Sequence, residues 1–160
     1  MSGTRGSSLL LWRTLCWGLM LSAPPAIDAR TVPIDDSGTL PQAAPLVLHW
    51  QQLSPRPPVD NRMSGTLSVH VRLNVAAHLA RTGRIYLVLP EQEPGGLQVS
   101  WTTHGQLLPG QVVSGSRALA YAGPIRTPFI EDELELTLQV DGSRMRQLYH
   151  VNFRFEMDES

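Results

Sequence analysis

The sequence predicts an all-β fold, and three observations lead to it. Apolar and polar residues alternate with a period of two in several separate stretches, which is typical of strands with one buried face. Glycine and proline, 13 of each, punctuate these stretches at the spacing of a small sandwich. No regular alternation of strands with long helices is present, which disfavours a doubly wound sheet. We therefore predict an immunoglobulin-like antiparallel β-sandwich of about seven to eight strands, with a small open β-barrel as the alternative.

Residues 1–29 differ in composition from the rest of the chain. Arg5 and Arg13 precede a short apolar stretch, and small residues and prolines follow it. A basic start, an apolar core and a small-residue exit are typical of a secretory signal peptide. The apolar stretch is shorter than the ~20 residues that a membrane span needs. We predict cleavage after Ala29 and a periplasmic or secreted mature protein, with cleavage after Ala26 or a retained anchor as alternatives.

The mature chain is expected to begin with a leader outside the domain. Residues 30–45 contain three prolines and no usable period, which predicts a flexible or extended segment. Alternation begins at residue 46, where every second residue is large and apolar: Leu46, Leu48 and Trp50. We predict that the sandwich domain spans residues 46–157 and that residues 158–160 form a polar tail in solvent.

The clearest strand in the first half covers residues 65–75. Its apolar residues fall on one face, which predicts a half-buried antiparallel strand whose core-facing residues are Leu67, Val69, Val71, Leu73 and Val75. Residues 75–81 contain good helix formers and form the one candidate helix, about two turns at most. Shorter strands, separated by turn residues, are predicted at 84–89, 97–102, 107–113 and 118–122.

The last part of the chain has the strongest pairing signal. Apolar residues alternate over 133–140 and again over 145–157, and Asp141-Gly142 between them is a hairpin turn signal. We predict a two-stranded hairpin whose return strand lies at a sheet edge and accepts a partner strand. The predicted cross-strand pairs are Leu138 with Met145 and Leu134 with Tyr149. The predicted inner face of the return strand consists of Tyr149, Val151, Phe153, Phe155 and Met157.

Composition and motifs exclude several classes of function. The formal net charge of -1 leaves no positive surplus for nucleic-acid binding. The single cysteine, Cys16, lies in the predicted signal peptide, so the mature chain has no disulfide and no thiol nucleophile. Phosphate-binding glycine loops and serine-nucleophile motifs are absent, and Ser116 lies in a turn cluster. We predict a non-catalytic protein without a cofactor.

One acidic cluster and the histidines are the candidate chemical groups. Glu131, Asp132, Glu133 and Glu135 are interpreted as a solvated strand face that discourages edge pairing, rather than as a glycosidase pair or a calcium site. The histidines and methionines are donors that copper uses, although no two histidines have a ligand-pair spacing. These residues are His49, His70, His78, His104, His150, Met63, Met145 and Met157.

Two tryptophans complete the set of candidate residues. Trp50 and Trp101 occupy strand positions that are predicted to face the core, with sugar stacking or peptide binding as the alternative. Export, sandwich patterning and the lack of a catalytic set favour a protein that binds other proteins. We expect an accessory or structural component of a cell-envelope assembly such as a pilus, secretion or appendage system. The alternative is a periplasmic copper-binding protein.

Overall fold

The computed structural model describes residues 30–41, 46–51, 61–91, 96–143 and 151–159. Regular structure in these residues is strand, apart from one 3-10 turn at Ala76–His78 in place of the predicted helix. The strands are β1 (Arg30–Pro33), β2 (Leu40–Pro41), β3 (His49–Trp50), β4 (Arg62–Asn74), β5 (Thr82–Leu89), β6 (Gln98–Thr103), β7 (Gly110–Val113), β8 (Ser116–Pro124), β9 (Phe129–Asp141) and β10 (Arg154–Glu159).

The strands form two antiparallel sheets. The first sheet has the order β1-β10-β5-β8, and the second has the order β2-β4-β9-β6-β7, with β3 also paired to β4. Side chains from both sheets meet in one buried apolar cluster, as expected for two sheets packed face to face. The prediction of an all-β, antiparallel, sandwich-like fold is confirmed.

The core follows the alternation of the sequence. In β4, Val69, Val71 and Leu73 have no solvent exposure, whereas Leu67 is partly buried. In β9, Leu134 and Leu136 are equally buried, and the residues between them point outward. Because β4 and β9 pair along all 13 residues of each, these two strands form the centre of the second sheet.

The predicted C-terminal hairpin is wrong. Both sides of β9 are occupied, since it pairs with β4 on one side and with β6 on the other. Leu138 lies opposite Gly65 and Val99, and Leu134 opposite Val69 and Thr103. The turn signal does mark a turn at residues 142–143, and the amide of Gly142 donates to the carbonyl of Asn61, which extends the β4–β9 pairing by one residue. Met145 and Tyr149 lie outside the described residues.

The last strand, β10, is interior rather than an edge. It lies in the first sheet between β1 and β5, so it cannot accept a partner strand as predicted. Phe155 and Met157 are fully buried, which agrees with the predicted inner face. Asp158 and Glu159 belong to β10 and do not form a solvated tail.

The described part of the predicted leader belongs to the sandwich. β1 pairs with β10 in the first sheet, and β2 pairs with β4 in the second. Between them, Ile34 is 7% exposed within the core, and Asp35 forms a bridge to Asn74. Residues 30–41 therefore cross from one sheet to the other and close that side of the sandwich, a role that the alternation pattern could not reveal.

Candidate functional site

The acidic cluster is divided between the two faces of β9. Glu131, Glu133 and Glu135 are exposed on the outer face, as predicted, but Asp132 is buried at 5% exposure. Its position was visible in the sequence, because Asp132 has the same parity as Ile130 and Leu134. A charged residue at an apolar position of a strand indicates a buried hydrogen-bonding role.

Asp132 holds a loop in place. Its carboxylate accepts hydrogen bonds from the amides of His104 (3.2 Å), Leu107 (2.7 Å) and Glu133 (2.7 Å). Gly105 passes so close that an added Cβ would lie 2.9 Å from the carboxylate. The carboxylate thus replaces water for two backbone donors of the loop between β6 and β7 and for one of β9, and its role is structural.

The outer face of the second sheet carries two rows of hydroxyl groups. Thr66, Thr137 and Ser100 are in register across β4, β9 and β6. In the next row, Ser68 and Thr102 flank Glu135 on its two sides. Within the described part of the chain Glu135 has no ion-pair partner, whereas Glu131 lies 3.0 Å from the Arg72 guanidinium.

Two shallow depressions meet on this face. One, of about 370 Å³, is lined by Val47, His49, Ser64, Gly65, Thr66 and Thr137. The other, of about 240 Å³, shares Thr137 and continues to Ser100, Thr102 and Glu135. Together they form a trough from the edge of the sheet to Glu135, and we call it the hydroxyl trough. Sequence alternation places these residues outward but does not show that they adjoin.

Exposed apolar side chains occur along the sheet edge where the trough begins, and one of them, Val47, lines it. Among the described residues, eight large apolar side chains are exposed, and three of them flank β4 on the side away from β9. These are Leu40 (63% exposed), Val47 (54%) and Trp50 (48%), which we call the edge patch. The predicted burial of Trp50 is wrong, because β3 ends there and the indole lies against Gly142 at the rim.

Trp101 does face the core, as predicted. It is 3% exposed, and its indole N–H donates to the carbonyl of Leu108 at 2.8 Å. Gly110 permits this packing, because an added Cβ there would lie 2.6 Å from the ring. Trp101 is therefore a core residue and does not offer a face to a sugar or a peptide.

The other sheet edges carry features that hinder strand addition. In β1, the amide of Ile34 donates to Phe155, so Pro33, which has no N–H, faces away from β10. In β8, a register shift creates a bulge, and Leu108 donates to the carbonyl of Ala120 at 2.7 Å. In β7, the Ser116 hydroxyl bonds both the N–H and the carbonyl of Val113, as a connector residue would.

The described histidines do not form a metal centre. His70 lies opposite Glu133, and Nδ1 of His104 is 3.5 Å from the Glu133 carbonyl. His78 lies 2.8 Å from Glu159 in another part of the molecule, and His49 lies at the edge of the second sheet. Within the described ranges, no group of three His, Cys, Asp or Glu residues could hold a metal ion.

The methionines do not supply the missing ligands in the described part. Met157 is fully buried in the core, and Met63 packs against the core near Trp50. His150 and Met145 lie outside the described residues. The copper hypothesis therefore stays a prediction.

Comparisons with other proteins give no assignment. No protein-family model, curated protein or solved structure matches this chain. In the portions of the chain that the structure describes, no helix is long and apolar enough to cross a membrane.

Proposed function

We propose that this chain is a non-catalytic, exported, immunoglobulin-like sandwich that binds another protein. It acts as an accessory or structural component of a cell-envelope assembly such as a pilus, secretion or appendage system. The observation that carries the proposal is the edge patch, Leu40, Val47 and Trp50. Large apolar side chains that stay exposed along one edge of a sheet are candidate points of protein contact.

The contrast among the sheet edges supports this choice of surface. Proteins protect exposed edges with prolines, bulges and covering loops because an open edge recruits other strands. Such devices occur at β1, β7 and β8, even though Val113 of β7 and Leu119 of β8 are also exposed. The β2–β3 edge carries the two most exposed large apolar side chains of the described residues, Leu40 and Val47. The contact surface is therefore assigned to the β2–β3 edge instead of the C-terminal strand.

Side chains contribute more to this contact than backbone hydrogen bonds between strands do. β2 and β3 are two residues each, and Pro41 in β2 has no N–H to donate. A partner strand would thus find few continuous backbone groups along the edge. Apolar contact with Leu40, Val47 and Trp50 supplies the affinity, and any strand addition is short.

Site-specific photo-crosslinking in intact cells tests the proposed surface. A benzophenone amino acid at Val47 should give a discrete adduct with another envelope protein. The matched control is the same probe at Leu119, an exposed apolar residue of β8 on the opposite side. Adducts at Leu119 alone, or at neither position, would remove the edge patch from the proposal.

The proposed location has its own test. Protein recovered from the periplasm should begin at Arg30, which is also the first residue of β1. The new α-amino group then lies at the start of an ordered strand, opposite Glu159. Membrane-held protein with Met1 intact would contradict signal-peptide cleavage after Ala29.

A further inference from the structure

We infer that the partner binds through an extended segment that carries a basic side chain close to an apolar one. The inference rests on the proposed function, because it takes the edge patch as one half of the contact. The other half is the hydroxyl trough, which leads from Val47 to Glu135. The basic side chain of the partner pairs with Glu135, and its apolar side chain contacts Val47.

Charge complementarity selects Glu135 from the three outward glutamates. Glu131 is already paired with Arg72 at 3.0 Å, and Arg72 also lies 4.1 Å from the centre of the Phe129 ring. Glu133 lies opposite His70 and forms further interactions. In the described parts of the chain, Glu135 alone among these three has only hydroxyl residues, Ser68 and Thr102, as cross-strand neighbours.

The shape of the trough suits an extended peptide. Its floor consists of short side chains, with Gly65 at the edge and serine and threonine across β4, β9 and β6. Hydroxyl groups both donate and accept hydrogen bonds, so they can satisfy peptide groups without imposing one sequence. The floor provides adaptable polar contacts, and the two ends provide the selectivity.

The distance between Val47 and Glu135 sets the separation of the two recognised side chains in the partner. From Val47 to Glu135 the path crosses two strand intervals and two residues along β9, which is roughly 12 Å. An extended chain covers this distance in about three or four residues. The recognised segment therefore has an arginine or lysine about three or four positions from a large apolar residue.

A phage-displayed library of random linear peptides serves as the probe. It is selected in parallel on the mature wild-type protein, on Glu135→Gln and on Glu131→Gln. Wild-type selection should enrich peptides with the predicted basic–apolar spacing. Glu135→Gln should lose the basic preference and keep the apolar one, whereas Glu131→Gln, the matched control, should keep both.

Affinity measurements on a selected peptide provide the second test. Glu135→Gln should bind it up to about five-fold more weakly than wild type, the scale of one exposed charge pair. Added salt should weaken wild-type binding and leave the variant unchanged. No enrichment, no basic preference, or equal behaviour of wild type and Glu135→Gln would overturn the inference. Crosslinking at Val47 could still succeed in that case, so the two proposals fail separately.

Discussion

The two outer faces of the sandwich satisfy their polar groups in different ways. On the first sheet, the guanidinium of Arg117 lies 4.3 Å from the centre of the Tyr86 ring and bonds both Asp158 oxygens, at 3.0 and 3.1 Å. Thr31 donates to the same carboxylate at 2.6 Å. These residues tie β8, β5, β10 and β1 together. On the second sheet, Glu135 and the surrounding hydroxyl groups form no such network within the described residues.

The difference separates structural surface from surface that is open to a partner. Groups that satisfy one another, as Arg117 and Asp158 do, gain little from a new contact because an existing one must first be broken. A carboxylate without an ion pair, beside exposed apolar side chains, can gain both charge pairing and apolar burial. We therefore expect residues that the fold needs and residues that it leaves free to respond differently to substitution.

The largest effect is expected from removing β10. Truncation after Asn152 deletes Phe155 and Met157, which are fully buried, and leaves β1 and β5 without the strand between them. Loss of two large core side chains costs about 4 kcal/mol or more, a large part of a domain's stability. We expect no cooperative thermal transition by circular dichroism.

A shorter deletion distinguishes the contribution of the buried residues of β10 from that of the residues at the C-terminal end of the chain. Removal of residues 158–160 keeps Phe155 and Met157 but deletes the Asp158 ties to Thr31 and Arg117. This variant should melt cooperatively at a lower temperature than wild type. A normal melt for the Asn152 truncation would mean that β10 is not part of the core.

A pair of neighbouring substitutions compares the inner and outer faces of β4. Val71→Asp places a charge without a partner in the core and should unfold the domain, since such a charge costs several kcal/mol. Arg72→Ala, on the outer face, loses an exposed ion pair with Glu131 and should cost about 1 kcal/mol or less. Urea denaturation measures both, and a reversed order would shift the register by one residue.

Replacing Asp132 should have an intermediate effect. Asp132→Ala leaves three backbone amides, including that of Leu107, without their buried acceptor, which should cost about 3 kcal/mol. Glu135→Gln changes an exposed carboxylate of the same strand and should shift stability by less than about 0.5 kcal/mol. Equal urea midpoints for the two variants would contradict the structural role of Asp132.

The sequence predicted which way strand residues face more reliably than it predicted strand partners. Alternation is a local property, so most of the inner faces of β4 and β9 were predicted correctly. Examples are Val69 and Leu73 in β4 and Leu134 and Leu138 in β9. Pairing depends on where distant segments fold. The Asp141-Gly142 signal was compatible with a hairpin, but β4 matches β9 in length and occupies its edge. Nothing in the local pattern could distinguish these outcomes.

The candidate site was only partly visible in the sequence for the same reason. The outward direction of Glu135 follows from parity, but its position beside Ser68 and Thr102 requires the strand order. The exposure of Trp50 depends on where β3 ends, which alternation does not fix. Prolines in residues 30–45 suggested a leader, yet Pro33 is tolerated because it lies on an edge strand.

The smallest effect concerns acid stability on the first sheet. The Thr31 hydroxyl, and then the Arg117 guanidinium, hold the pKa of Asp158 below its ordinary value. The folded state therefore binds this proton less readily than the unfolded state. The stabilisation is present above the ordinary pKa and is lost as the pH falls through the lower folded-state value, below about pH 4. Thr31→Val removes the hydroxyl that donates to Asp158, so this variant should lose less stability than wild type as the pH falls.

Paired denaturation curves measure the effect as a difference between variants. At pH 6, wild type should be more stable than Thr31→Val by up to about 1 kcal/mol. The effect is this small because the hydrogen bond between Thr31 and Asp158 lies near the surface. The gap should narrow as the pH falls below about 4 and Asp158 becomes protonated. Thr102→Val, the matched change on the outer face of the second sheet, removes a hydroxyl that bonds no carboxylate in the described structure. Its difference from wild type should not depend on pH. If the stability difference between wild type and Thr102→Val changes with pH as it does for Thr31→Val, the two faces do not differ in the way that their hydrogen bonds indicate.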